Sequence, residues 1–429
     1  MLVPLLVGLD PSTALFTAGI GTLIFHAVTR GKVPIFLGSS FAFIAPIIKA
    51  TELYGLAGTL SGMVGVALVY FVMSALVKWQ GVRVIERLFP PVVIGPVIIL
   101  IGLSLAGTGV NMAKENWVLA LLSLVTAVIV SMKAKGLLKL IPIFCGIIVG
   151  YLAAWLFYDL DLSGVRDAAW IGLPQFVFPK FSWEPVLFMI PVAIAPVIEH
   201  IGDVYVVNTV TGKDFVKDPG LHRTVLGDGV ATIASALLGG PANTTYGENT
   251  AVLAITKNYN PKNIFWAACM AVVAGLFVPF GEFLATIPSA VIGGASIVLF
   301  GMISASGLRA LVDAKVDFSN SKNMIVVSTT LAIGLGLGAM SLAGDITGES
   351  GLKIMIGQVE LSPLAIATVV LNLIIPNTKE DKSEDSIISL TSSGAVDISQ
   401  ELTSEKDEEA AESECDATAT EAPENEKTE

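Results

Sequence analysis

The sequence predicts an all-α polytopic membrane protein with fourteen transmembrane segments, two of them interrupted by extended chain. Three observations carry that expectation. The 429 residues are 53% hydrophobic and only 14% charged, with a mean hydropathy of +0.75, which excludes an ordinary soluble domain. Apolar runs of about 20 residues recur along the chain, long enough to cross a hydrocarbon core of roughly 30 Å. The basic residues between those runs fall overwhelmingly on alternate loops.

The segments in order begin with Leu2–Leu9, Ala14–Thr29, Pro34–Ile48, Leu56–Val77 and Pro91–Ala106. Next come Trp117–Met132, Leu137–Phe157, Pro185–Val207 and Leu221–Leu238. The last five are Ala242–Ile255, Ile264–Ala285, Ala290–Leu308, Met324–Leu342 and Leu361–Ile375. The first is about half a spanning helix, so the first helix is expected to lack its front half. It has no basic lead-in and no cleavage site, so it does not read as a signal peptide.

With fourteen crossings, one side holds Arg30, Lys32, Lys78, Arg83, Arg87, Lys133, Lys135 and Lys139, then Lys213, Lys217, Arg223, Lys257, Lys262, Arg309, Lys315 and Lys322. The other side holds only Lys49, Lys114, Arg166, Lys180 and Lys353. Sixteen against five is a positive-inside bias that the loss of any interior crossing scrambles, so segments three and ten must each cross. The C-terminus then lies in the cytoplasm.

The net charge of −12 belongs to an appendage. From Asn377 onward, 17 acidic residues face 4 Lys, whereas the preceding chain carries 20 acidic and 21 basic residues. That tail, 377–429, is rich in Glu, Ser, Thr and Ala and is expected to be disordered, because it offers too little apolar surface to offset ordering entropy. Cys145, Cys269 and Cys415 have no metal-ligand spacing and suggest no disulfide. No Walker-type phosphate loop, H-E-x-x-H metal motif or Gly-x-Ser-x-Gly elbow is present, and the histidines are His26, His200 and His222. Enzymatic chemistry and self-powered transport by ATP hydrolysis are therefore not expected.

Segments three and ten echo each other. Phe36-Leu-Gly-Ser-Ser-Phe-Ala-Phe-Ile-Ala-Pro46 and Pro241-Ala-Asn-Thr-Thr-Tyr-Gly-Glu-Asn249 both open with small, hydroxylated and aromatic residues suited to a strand, then run into a short apolar half-helix. Non-helical backbone at membrane depth is tolerated only in a cavity lining or buried in protein. Two such interruptions in matching halves point to the binding site of a transporter. Close by are Glu199, His200 and Asp203, charged residues inside an apolar run, each costing roughly 2.5–3.5 kcal/mol to insert on translocon scales. Glu199 and Asp203, spaced i, i+4, share a helix face, and His200 points about 100° away. Asp228, in Leu226-Gly-Asp-Gly229, reads as a helix cap at the start of segment nine.

These strings resemble the nucleobase–cation symporter 2, or nucleobase–ascorbate transporter, family, in its bacterial uracil permease branch. The resemblance rests on Gly38-Ser-Ser-Phe-Ala-Phe43, Glu199-His-Ile-Gly202, Asp218-Pro-Gly-Leu-His-Arg223 and Asn243-Thr-Thr-Tyr-Gly-Glu-Asn249. It runs from near residue 3 to about residue 376. Three positions depart from the family pattern: Asp203 stands where a His is usual, Ala251 where a Gly is usual, and the first helix lacks its Gln-His pair.

The resemblance implies two inverted repeats of seven segments, with segments three and ten carrying short antiparallel β-strands. It implies a core domain (1–80 and 184–286) and a gate domain (81–183 and 287–376), an elevator-like motion and a homodimer. It also assigns substrate contacts to Glu199, Glu248, the backbone N–H groups of Phe41 and Gly247, and Tyr246. No cofactor is implied, the proton serving as coupling ion, and no nucleic acid.

The chemistry is consistent with that. Uracil is a flat neutral ring with two N–H donors and two carbonyl acceptors, so it suits carboxylates, helix N-termini and aromatic walls. Carboxyls clustered in low dielectric do not all ionise, so Glu199, Asp203 and Glu248 are the expected proton-coupling groups. The expected function is proton-coupled uptake of uracil across the cytoplasmic membrane. The alternatives are a xanthine or uric acid symporter of the same family and, further off, a channel.

Overall fold

The computed structural model describes residues 2–81, 90–158, 160–342, 368, 371–372 and 374–375. Segment fourteen, apart from those last few positions, and the acidic tail lie outside the described residues.

The chain opens with α1 (Leu2–Val7) and α2 (Pro11–Val28). Asp10 caps α2, its carboxylate accepting from the Ser12 and Thr13 N–H groups, with Pro11 at the first helical position. Then come β1 (Leu37–Ser39), a 3₁₀ turn at Phe41–Phe43, and α3 (Ile44–Gln80). Segments three and four are thus one kinked rod. It breaks at Gly55, whose φ of 70° is a conformation that side chains resist. After it come α4 (Pro91–Ala113), α5 (Trp117–Lys133), α6 (Pro142–Phe157) and the single turn α7 (Ser163–Asp167).

The second half likewise places one strand between helices. Segment eight is α8 (Trp183–Met189), joined by a 3₁₀ turn to α9 (Ile194–Thr211). Then follow α10 (Leu221–Leu237), β2 (Asn243–Thr245) and α11 (Gly247–Thr256). Segment eleven, expected as one span, is α12 (Pro261–Gly275) and α13 (Val278–Ala285), bent by 77°. Phe277 leaves the helical region, and Pro279 two residues on has no N–H to continue the ladder to the Gly275 carbonyl. Helices α14 (Ser289–Asp313) and α15 (Ser321–Leu342) complete the described chain.

Among the described residues, five helical stretches are long and apolar enough to cross a membrane alone, and six if the bent pair counts as one. Of the other expected crossings among the described residues, α1, α5, α6, α10 and α11 have 17 residues or fewer, and α15 is a single helix of 22. At 17 and 16 residues, α5 and α6 span only about 25 Å each.

Small residues let the long helices touch. Along the α4–α14 contact a Cβ on Gly102 would press on the Phe300 carbonyl oxygen, and one on Gly307 would stand 2.7 Å from that of Gly95. This is the close backbone packing that substitutes for a hydrophobic driving force in lipid. Helix α2 packs on α10 and α12, and α3 packs on α8 and α10. Helices α5, α6 and α15 gather instead around α4 and α14.

The two strands meet antiparallel at the centre, with Leu37 opposite Thr245, Gly38 opposite Thr244 and Ser39 opposite Asn243. All six residues are buried, so their backbone needs internal partners. The preceding helices supply some. Thr22 Oγ1 accepts from the Leu37 N–H at 2.9 Å, and Thr232 Oγ1 donates to the Asn243 carbonyl at 3.0 Å. Asn243 Nδ2 in turn donates to the Thr17 carbonyl at 3.2 Å. Around the crossing lies the main apolar core, including Phe25, Phe43, Tyr70, Val197 and Val225.

Candidate functional site

Each strand delivers its chain to an uncapped helical start. After β1 the 3₁₀ turn begins at Phe41 with no side-chain cap from Ser40, and after β2 helix α11 begins at Gly247 with none from Tyr246. Such starts carry N–H groups with no intrahelical partner and a partial positive charge. The two turns are held together by an aromatic contact. Phe41 and Tyr246 stack with ring centroids 6.1 Å apart and planes 15° apart, and the Tyr246 hydroxyl donates to the Ser39 carbonyl at 2.9 Å. Tyr246 lies directly over the opposite strand, where a Cβ on Gly38 would run into its ring.

Helix α9 faces this junction with Asp203. Thr245 donates its hydroxyl to Asp203 Oδ2 at 2.7 Å, and a Cβ on Gly247 would lie 3.1 Å from Asp203 Oδ1. The Asp203 carboxylate therefore stands at the start of α11, where the helix dipole favours negative charge. One turn earlier, Glu199 is exposed, as is Gly247, while Phe41, Asp203 and Tyr246 are half-buried. Chemically, this is one exposed carboxylate acceptor, two sets of backbone donors and an aromatic pair, with no basic side chain among these residues.

Phe41, Asp203, Tyr246 and Gly247 thus meet at one junction, with Glu199 one turn away from Asp203 on α9. Glu248 is the second residue of α11, and its side chain lies outside the described residues. Asp228 is not the helix cap expected of it. It is the eighth residue of α10, wholly buried, with its Oδ2 3.0 Å from Nδ1 of the equally buried His200. The available signal was its place between Gly227 and Gly229 as the one acid of its span, too deep to cap anything once α10 starts at Leu221. Among the described residues, no group of three or more His, Cys, Asp or Glu side chains is placed to hold a metal ion.

Comparison with known proteins agrees with this architecture. A model of the Permease family (Xan_ur_permease) matches residues 1–342. The chain is 42% identical over 395 residues to the probable uracil permease of Haemophilus influenzae, covering 89% of this chain and 92% of that protein. It is 45% identical over 391 residues to the uracil permease of Bacillus caldolyticus, covering 88% of each. Among solved structures, the transmembrane domain of a cyanobacterial bicarbonate transporter, BicA, superposes with a TM-score of 0.56 at 16% identity. That likeness spans 87% of this chain and 91% of that one and speaks to fold alone. A polytopic body of apolar helices, interrupted spans at its centre and long matches to permeases place the chain in the permease family of nucleobase–ascorbate transporters, as a multi-pass membrane transporter and not an enzyme.

Proposed function

We propose that this permease carries uracil into the cell together with a proton. The observation that carries the reading is the junction itself: Asp203 at the uncapped start of α11, the exposed Glu199 one turn away on the same helix, and the Phe41–Tyr246 stack joining the two turns that follow the strands. A uracil ring places N–H donors against the Glu199 carboxylate, with Glu248 the second acceptor, and carbonyls against the backbone N–H groups of Phe41 and Gly247. The two relatives named as uracil permeases, at 42% and 45% identity, support that substrate.

Proton coupling rests on carboxyl chemistry. Substrate occupying a site beside Glu199 and Asp203 favours a neutralised site over two ionised acids in low dielectric. In this reading a proton enters the Glu199, Asp203 and Glu248 group, uracil binds, and a core of segments one to four and eight to eleven slides past a gate of the remaining segments. The inverted repeat of fourteen segments is part of the same proposal. Its support is local: two antiparallel strands, each contacted at its first residue by a threonine of the helix before it. The basic loops favour a cytoplasmic C-terminus.

The test is radiolabelled uracil uptake in cells lacking their own permease, with and without a proton uncoupler. Saturable uptake abolished by the uncoupler supports the reading. Accumulation of xanthine in place of uracil overturns the substrate, and uptake indifferent to the uncoupler overturns the coupling.

A further inference from the structure

Behind the junction lies a pair that the transport reading leaves unused. His200 and Asp228 both have 0% side-chain exposure and approach to 3.0 Å, out of line for a straight hydrogen bond. Their surroundings are closed. Phe25 of α2 meets the imidazole edge-on at 6.2 Å, and Tyr70 of α3 is fully buried against α10, where a Cβ on Gly229 would lie 2.7 Å from it. One buried pair therefore joins two elements of the site, α9 through His200 and α10 through Asp228.

His200 directly follows Glu199, and consecutive helical residues point about 100° apart. Holding His200 inward on Asp228 sets the azimuth of α9, and that azimuth leaves Glu199 exposed and brings Asp203 to Thr245. The alternative rotations are penalised, because each strands a buried polar group without its partner. We infer that His200 and Asp228 are positioning residues, a buried clamp between α9 and α10 that aims the Glu199 carboxylate into the substrate site.

Two measurements on the full-length protein test the clamp. In the first, Cys145, Cys269 and Cys415 are replaced by Ala, Glu199→Cys is introduced, and its labelling by a water-soluble maleimide is timed with and without Asp228→Asn. The clamp requires the labelling rate to fall at least about threefold when the pair is broken. An unchanged rate in a variant that elutes as the parent does overturns it. This arm needs no substrate.

The second arm rests on the uracil reading. His200→Asn and Asp228→Asn are each expected to raise the uracil KM about tenfold while Vmax per surface copy stays within about twofold. The double variant is expected to be no worse than the weaker single. Lowered Vmax at unchanged KM, or single effects that multiply in the double variant, reduces the pair to ordinary packing and overturns the inference. A wild-type chain that takes up no uracil overturns the substrate reading, and the labelling rates then decide the clamp.

Discussion

Thr245 donates its hydroxyl to Asp203 at 2.7 Å, so the last residue of β2 is tied to the helix that carries Glu199. The bond bridges 42 residues of sequence and sets the start of α11 against α9. A neutral donor on a carboxylate is a charge-assisted bond, stronger than one between neutral groups.

Thr245→Val keeps the β-branched shape that the strand requires and removes only the hydroxyl. Losing a hydrogen bond to a charged group costs about 1.5–3 kcal/mol, so uracil affinity is expected to fall by about tenfold or more. Binding to purified protein, read alongside the surface quantity in cells, checks this. Unchanged affinity would show that the bond has no part in shaping the site.

Gly38→Ala pushes a methyl into the Tyr246 ring. Uptake is expected to fall at least about tenfold, because Tyr246 must leave its stack on Phe41 or the strands must part. Shortening the ring with Tyr246→Leu in the same chain removes the clash. Partial recovery of uptake in the double variant, measured against Tyr246→Leu alone, identifies sterics as the cause.

Glu199→Gln keeps size and hydrogen-bonding capacity but cannot take up a proton. Proton-driven accumulation of uracil is expected to be lost while exchange of external for internal uracil persists. Accumulation at the wild-type level would remove Glu199 from the coupling group and leave Asp203 and Glu248 to be tried in turn.

Gly102→Val is a test away from the site. A side chain there meets the Phe300 carbonyl and Ser304, so α4 and α14 must separate. Overpacking of this kind costs about 1–3 kcal/mol, expected as a lower melting temperature in detergent. Gly107 on the same helix is the control, because a methyl added there meets open space. Gly107→Ala is expected to leave the melting temperature within about a degree or two.

Much of this was legible in the chain itself. The places of the apolar segments, the two interruptions and the helix face shared by Glu199 and Asp203 follow from local pattern, because lipid and backbone satisfaction constrain each segment separately. The kink at Gly55 and the bend before Pro279 were less legible, since glycine and proline are common in membrane helices and most bend nothing. What no local pattern contained was partnership. Leu37 meets Thr245 across 208 positions, and Asp228 reads as a cap until α9 brings His200 to within 3.0 Å of it. A buried polar side chain takes its meaning from the group that satisfies it, and that group is chosen by the packing of distant helices.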